Sequence, residues 1–257
     1  MPEGPDPVDW QGRAIDCATC RFTTYLAQGQ CGPGWACAFD RYAPRIGRFF
    51  LINPADADRC LNDPYFETRA AAARVATLFR LPRLLSDPDP AVRAIAALRL
   101  PVGHARLCLR DPDRQVRAAV AWRLPPAEMA PLLGDDDPYV RLIAARRADP
   151  GLLPLLALDA DPEIRAVVAG RVPPRWLDHL IADPEPQVRR TVATRLAPDA
   201  LVRLAEDPDI RVRHAVAERA DAALAARMLT DPDAPVRQAA TERLAELATE
   251  RDSDVDR

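Results

Sequence analysis

Residues 87–100 read DPDPAVRAIAALRL, residues 111–124 DPDRQVRAAVAWRL and residues 183–196 DPEPQVRRTVATRL. All three carry Asp-Pro at the front, Val-Arg in the middle and Arg-Leu at the end. Aligned on the arginine of the Val-Arg pair, the pattern returns every 24 residues without insertion: Arg69, Arg93, Arg117, Arg141, Arg165, Arg189, Arg213 and Arg237. The residue before it is Val or Ile from Val92 to Val236. The sixth residue after it is arginine from Arg99 to Arg243, and the sixth before it is aspartate from Asp63 to Asp231. So strict a period marks a solenoid, in which each repeat buries its apolar face only against its neighbours.

Within a repeat, one helix is expected from the fourth residue before the arginine to the seventh after it, as from Asp89 to Leu100. An acid opens most of these helices (Asp89, Asp113, Asp137, Asp161, Asp209, Asp233), and Pro90, Pro138, Pro162 and Pro186 follow in four repeats. An acidic N-cap accepts from orphan amides, and proline pre-sets the first helical φ. At about 100° per residue, the positions one before and three, four and seven after the arginine share one arc. They hold Val, Ala or Val, Ala and Leu. The remaining ten residues, such as PVGHARLCLR at 101–110, leave room for a short 3₁₀ segment. No segment alternates with period two. The expected fold class is therefore all-α, a solenoid of 24-residue repeats alternating an α-helix with a short 3₁₀ helix.

The region before the repeats has a different texture. Of 4 Trp, 4 Tyr and 6 Phe, all but Trp122, Tyr139 and Trp176 precede residue 80. A cysteine-rich head over residues 1–62, a solenoid of about eight repeats over 63–250 and a disordered tail over 251–257 are expected. All 35 basic residues are arginine, yet the net charge of −3 argues against a generally basic nucleic-acid binder. The start, MPEGPDPVDW, lacks the apolar run of a signal peptide, and no stretch approaches membrane-spanning length. A cytoplasmic location without a membrane partner is the expectation. There cysteines stay reduced, and grouped ones bind metal more often than they form disulfides.

Residues 16–42, DCATCRFTTYLAQGQCGPGWACAFDRY, hold Cys17, Cys20, Cys31 and Cys37. The other two cysteines, Cys60 and Cys108, share a repeat position otherwise filled by leucine or methionine and read as small buried hydrophobes. Four thiols remain, the number a tetrahedral metal site or an iron–sulfur cluster needs. An all-cysteine zinc site usually brings two C-x2–4-C pairs, and only Cys17 and Cys20 have that form. A cluster is larger than one ion and suits looser spacing. Gly29, Gly32 and Gly34 would let the backbone curl and turn amides toward cluster sulfides, and they would equally serve a plain turn. The ferredoxin run C-x2-C-x2-C-x3-C-P is absent. Spacing leaves one zinc ion and an iron–sulfur cluster both open.

The body, with its DPxxxVRxxVAxRL pattern, resembles the leucine-rich repeat variant family over roughly residues 63–250. DWQGRAIDCATC through DRYAPRIGRFF resembles the N-terminal domain of the same family. The resemblance implies a right-handed superhelix and a 4Fe–4S cluster ligated by Cys17, Cys20, Cys31 and Cys37, with no open coordination site. It also implies an association with nitrogen-fixation gene neighbourhoods. Phe22, Tyr25, Trp35 and Phe39 are expected to shield the centre.

The repeat arginines lie inside the apolar arc, and a buried guanidinium needs partners. The aspartates six residues earlier are the expected ones, in a ladder that fixes repeat-to-repeat register. The second arginine row, Arg99 to Arg243, sits at the edge of the arc and is expected to be partly exposed, which would suit a phosphate backbone. Against that, acids accompany nearly every pair and no aromatics are interleaved for stacking. No catalytic motif occurs, and His104, His179 and His214 fall at three different repeat positions, so no catalytic residue is assigned. Two functions fit: a redox or sensor module whose solenoid binds a partner protein on its concave face, or an interaction scaffold whose metal site, 4Fe–4S or zinc, only caps the repeats.

Overall fold

The computed structural model describes residues 4–255. The described residues hold helices and turns, and their β-structure is limited to two isolated bridges, Val8–Ala14 and Gly32–Ala36. The chain divides into two compact bodies between Pro125 and Pro126. The first carries the head and the repeat helices Phe66–Ala73, Pro90–Arg99 and Arg114–Arg123. The second carries Pro138–Arg147, Pro162–Arg171, Pro186–Ala193, Ile210–Ala217 and Ala234–Val255.

The helix starts follow the sequence signals. Asp89, Asp113, Asp137, Asp161 and Asp209 each accept from an amide two residues on, and proline occupies the first helical position where expected. Glu185, one methylene longer, makes no such bond. The valine or isoleucine before each arginine is fully buried from Val92 to Val236. Connectors are 3₁₀ at Pro82–Ser86, Pro150–Leu156, Pro174–His179 and Pro198–Leu204. Three others contain α-helical turns, at Val102–Ala105, Ala130–Leu133 and Ala222–Met228, where only 3₁₀ was expected. In the last, AALAARM has no proline and is built of strong helix formers, and Asp221 caps the amide of Leu224 at 2.8 Å.

Both arginine rows are structural, and they point in opposite directions. Arg165 donates from Nε and Nη2 to the carboxylate of Asp183 at 2.7 and 2.9 Å, and from Nη1 to the carbonyls of Asp159 and Ala160. Arg69, Arg93, Arg141 and Arg189 repeat this fork onto Asp87, Asp111, Asp159 and Asp207. The expected register is corrected here. The aspartate six residues earlier supplies only its carbonyl, while the carboxylate comes from the aspartate 18 residues later, in the next repeat. Each of these carboxylates also accepts from the amide two residues on, as Asp183 does from Glu185 at 2.9 Å. The second row reaches back. Arg195 donates to the carbonyls of Ala169 and Val172, both at 2.8 Å, and Arg219 to those of Ala193 and Leu196. These are unpaired carbonyls at the end of the preceding helix, where a cation also meets the negative end of the dipole.

The head does not stop at residue 62 as a packing unit. One core runs from Phe22 and Ala38 through Ile46, Phe49, Phe50 and Cys60 to Ala72, Leu84 and Leu100. The helix Ala234–Val255 continues into the segment expected to be a disordered tail, and residues 256–257 lie outside the described residues.

Candidate metal centre

The four head cysteines lie in or beside short bends and turns. The carboxylate of Asp16 accepts from the amide of Ala18 at 2.9 Å and the hydroxyl of Thr19 at 2.6 Å, which shapes the turn between Cys17 and Cys20. The helix Thr23–Ala27 then carries the chain across to Cys31. Gly29 and Gly34 adopt φ of +68° and +82°, a region costly for side chains bearing Cβ. Gly32 lies under the indole of Trp35, where a Cβ would come within 2.4 Å of Nε1. Between Cys31 and Cys37 the bridge Gly32–Ala36 closes a hairpin, and the amide of Cys37 donates to the carbonyl of Arg45 at 3.2 Å.

Cys17, Cys20 and Cys31 are half-buried and Cys37 is buried. Burial raises the thiol pKa of Cys17, Cys31 and Cys37, the last to about 12, and neighbouring head cysteines raise each of the three further. Cys17 and Cys20 thus lie within electrostatic reach of each other and of both Cys31 and Cys37. Cys60 is separate: burial pushes its thiol to about 11, and its charged neighbours are Arg21, Asp63 and Asp56, none of them a head cysteine. Cys108 is buried among the repeats, as its repeat position implied. No three His, Cys, Asp or Glu side chains among the described residues close on a point that would seat one ion. An iron–sulfur cluster is held by four cysteine thiolates.

The donors around the sulfurs fit such a group. The amide of Phe22 points at Cys20 Sγ and that of Phe39 at Cys37 Sγ, each at 3.4 Å. Amide donors to thiolate sulfur stabilise its negative charge. Phe22 stacks on Phe39 and Tyr25 at 5.7 and 6.0 Å and packs against Phe49 at 4.8 Å. Three of the four aromatics expected to shield the centre therefore form one stack, while Trp35 stands apart, 37% exposed over Gly32.

Sequence reasoning placed Arg45 one period before Arg69 without foreseeing its partners, and missed another group entirely. Arg45 is buried and donates to Asp40 Oδ2 at 3.1 Å and to the carbonyl of Pro5 at 2.7 Å, pinning the start of the chain to the head. Arg21 was the other. It lies 48 residues, two periods, before Arg69, so counting the ladder further back would have found it.

The family model described as "LRV protein FeS4 cluster" matches residues 7–59, and that of "Leucine rich repeat variant" matches 186–209. A solved structure, described as a leucine-rich repeat variant with a novel repetitive protein structural motif, superposes with a TM-score of 0.82 at 40% identity. That match covers 90% of this chain and 99% of the other. An uncharacterized 27.7 kDa protein in the nifB 3′ region of Rhodobacter capsulatus is 62% identical over 84 residues. That alignment spans 33% of this chain and 34% of the relative. With its period, its alternating helices and its four-cysteine head, the chain belongs to the leucine-rich repeat variant family, whose iron–sulfur domain it carries at the N-terminal end.

Proposed function

We propose that the head holds a 4Fe–4S cluster on Cys17, Cys20, Cys31 and Cys37, and that the chain works as a redox or regulatory module whose repeats dock a partner protein. The observation that carries this reading is the exposure of the site. Three of the four thiols are half-buried, and Cys20 opens onto a cleft of about 480 Å³ shared with Ile15, Phe39, Arg13 and Arg21. A centre held there meets solvent on one side and the aromatic stack on the other. When bound, such a cluster supplies one-electron chemistry whose potential depends on charge, on hydrogen bonds to sulfur and on exposure. The chain's own part is to give up the thiol protons on loading, to hold Cys20 and Cys37 through the Phe22 and Phe39 amides, and to keep water from the inner face.

For the docking role, Leu98 and Trp122 occupy the same position on successive helices of the first body and are 42% and 52% exposed. Such residues suit a protein partner. The arginine rows are engaged by carboxylates and carbonyls and lend no support to nucleic-acid binding. The relative in the nifB 3′ region supports a link to nitrogen fixation.

A second reading, a structural centre that caps the repeats, draws on the core that runs unbroken from Phe22 to Leu100. Anaerobic purification with a visible spectrum and iron, sulfide and zinc assays tests both. Broad absorption near roughly 400 nm with about four irons and four sulfides supports the cluster. Bleaching by dithionite supports the redox module. A redox-silent cluster whose removal unfolds the head supports the cap, and a colourless protein with one zinc overturns the cluster.

A further inference from the structure

Cys20-Arg21-Phe22 and Cys37-Ala38-Phe39 are the same device used twice. In each, the phenylalanine amide donates to the sulfur two residues earlier at 3.4 Å, and the two rings then stack at 5.7 Å and 14°. Arg21 lies across both rings, its guanidinium carbon 5.1 Å from the centre of Phe22 and 4.9 Å from that of Phe39. The same guanidinium reaches out of the head. Its Nη2 donates to Asp63 Oδ2 at 3.3 Å and lies 3.1 Å from Cys60 Sγ. Asp63 stands at the ladder position, and by the rule of the later rungs its carboxylate belongs to Arg45. Arg45 donates to Asp40 and to the carbonyl of Pro5, and the Asp63 carboxylate accepts from Arg21 Nη2 and from the amide of Tyr65, each at 3.3 Å. The Arg21 side chain is 47% exposed and that of Asp63 only 8%.

We propose that Arg21 is a positioning residue for the centre: its charge sets the reduction equilibrium of the cluster, and its bond to Asp63 couples that equilibrium to the first rung of the ladder. This rests on the four head cysteines holding a 4Fe–4S cluster. Reduction takes up one electron from an external reductant, with no bond made or broken in the protein, and so adds negative charge beside the Phe22–Phe39 pair. A fixed cation there favours the reduced form, and a carboxylate competing for that cation opposes it. Coupling between two sites is reciprocal, so reduction draws Arg21 from Asp63 to the extent that Asp63 disfavours reduction.

The test is an anaerobic potentiometric titration of the full-length protein with dithionite, with iron and sulfide assayed in every sample. The wild type is read first. A wild type with no cluster, or with one that does not reduce, fails the underlying reading before any variant is compared. With a reducible cluster in hand, Arg21→Gln is expected to shift the equilibrium about tenfold toward the oxidised form, or about 59 mV downward. Arg21→Lys keeps the charge and is expected to stay within about threefold of wild type. Asp63→Asn is expected to shift the equilibrium the other way. Full iron in Arg21→Gln with an unmoved potential overturns the proposal, as does Arg21→Lys behaving like Arg21→Gln. If Arg21→Gln does not retain the cluster, Asp63→Asn decides alone, and no upward shift in it overturns the proposal.

Discussion

Replacing Asp183 by alanine removes one rung and leaves its neighbours in place. Both partners are 8% exposed, so water does little to compensate the loss. Arg165 forfeits bonds of 2.7 and 2.9 Å to the carboxylate, and the amide of Glu185 forfeits its acceptor. Removing one partner of a buried ion pair costs about 3–5 kcal/mol. Arg165 keeps the carbonyls of Asp159 and Ala160, which places the expected cost near the lower end, about 3 kcal/mol. Because a repeat contacts only its neighbours, the damage should be local. Urea unfolding followed by circular dichroism measures the total. Peptide-resolved hydrogen exchange measures its spread, expected to fall on the helices Pro162–Arg171 and Pro186–Ala193 and to spare Ala234–Val255. A loss under about 1 kcal/mol would show that the fork contributes no more than an exposed pair does. Protection lost evenly along the chain would refute the nearest-neighbour picture.

Stability should also depend on acid. Burial raises the pKa of Asp111, Asp159, Asp183 and Asp231, but the arginine bonds outweigh it and hold all four carboxyls below their ordinary value. A folded-state pKa below the unfolded one gives stability that is complete above about pH 5 and lost as pH falls through the folded values, so urea midpoints should be flat from neutral pH and drop below about pH 4. Arg195→Met, which orphans the carbonyls of Ala169 and Val172, is expected to cost about 2 kcal/mol by the same assay, and Arg195→Lys to recover most of it, since both bonds leave the single Nη1 and one ammonium can donate to two carbonyls. Cys37→Ala should abolish iron retention while Cys60→Ala keeps the full complement. Equal loss in both would place Cys60 among the ligands.

Much of the fold was legible because the repeat states itself many times over. Valine buries where the arc predicts it, and Asp89 or Asp161 caps where an acid precedes a helix. The ladder was legible as a pairing of residue types but not as a direction. With a period of 24, an aspartate six residues before one arginine is also the aspartate 18 residues after the previous one, so the sequence pattern offers both partners at the same position. The second row is partly exposed, as its place at the edge of the arc implied, but its partners were not legible. Arg195 and Arg219 bond to backbone carbonyls, which every residue owns and no sequence pattern marks. The repeat position of Cys60 and Cys108 set them apart from the four head cysteines, while the kind of metal stayed open because zinc and iron–sulfur centres both take four thiolates and only one of the two pairs has the close spacing usual for zinc. Trp35 was grouped with the shield by proximity in the chain, and the positive φ of Gly34 beside it turns the loop so that its ring covers Gly32 instead.

The two opposed arginine rows make chain length a quantised property. A repeat is held from both sides, by a carboxylate ahead of it and by helix-end carbonyls behind it, at separations of 18, 23 and 26 residues. Inserting or deleting a single residue in a connector would misalign both holds at once. Adding or removing a whole 24-residue block reproduces every bond at the new junction. Duplication of whole repeats is therefore the route by which such a chain can lengthen or shorten without passing through a broken intermediate, and its surface can diversify at positions such as Leu98 and Trp122 while the frame stays in register.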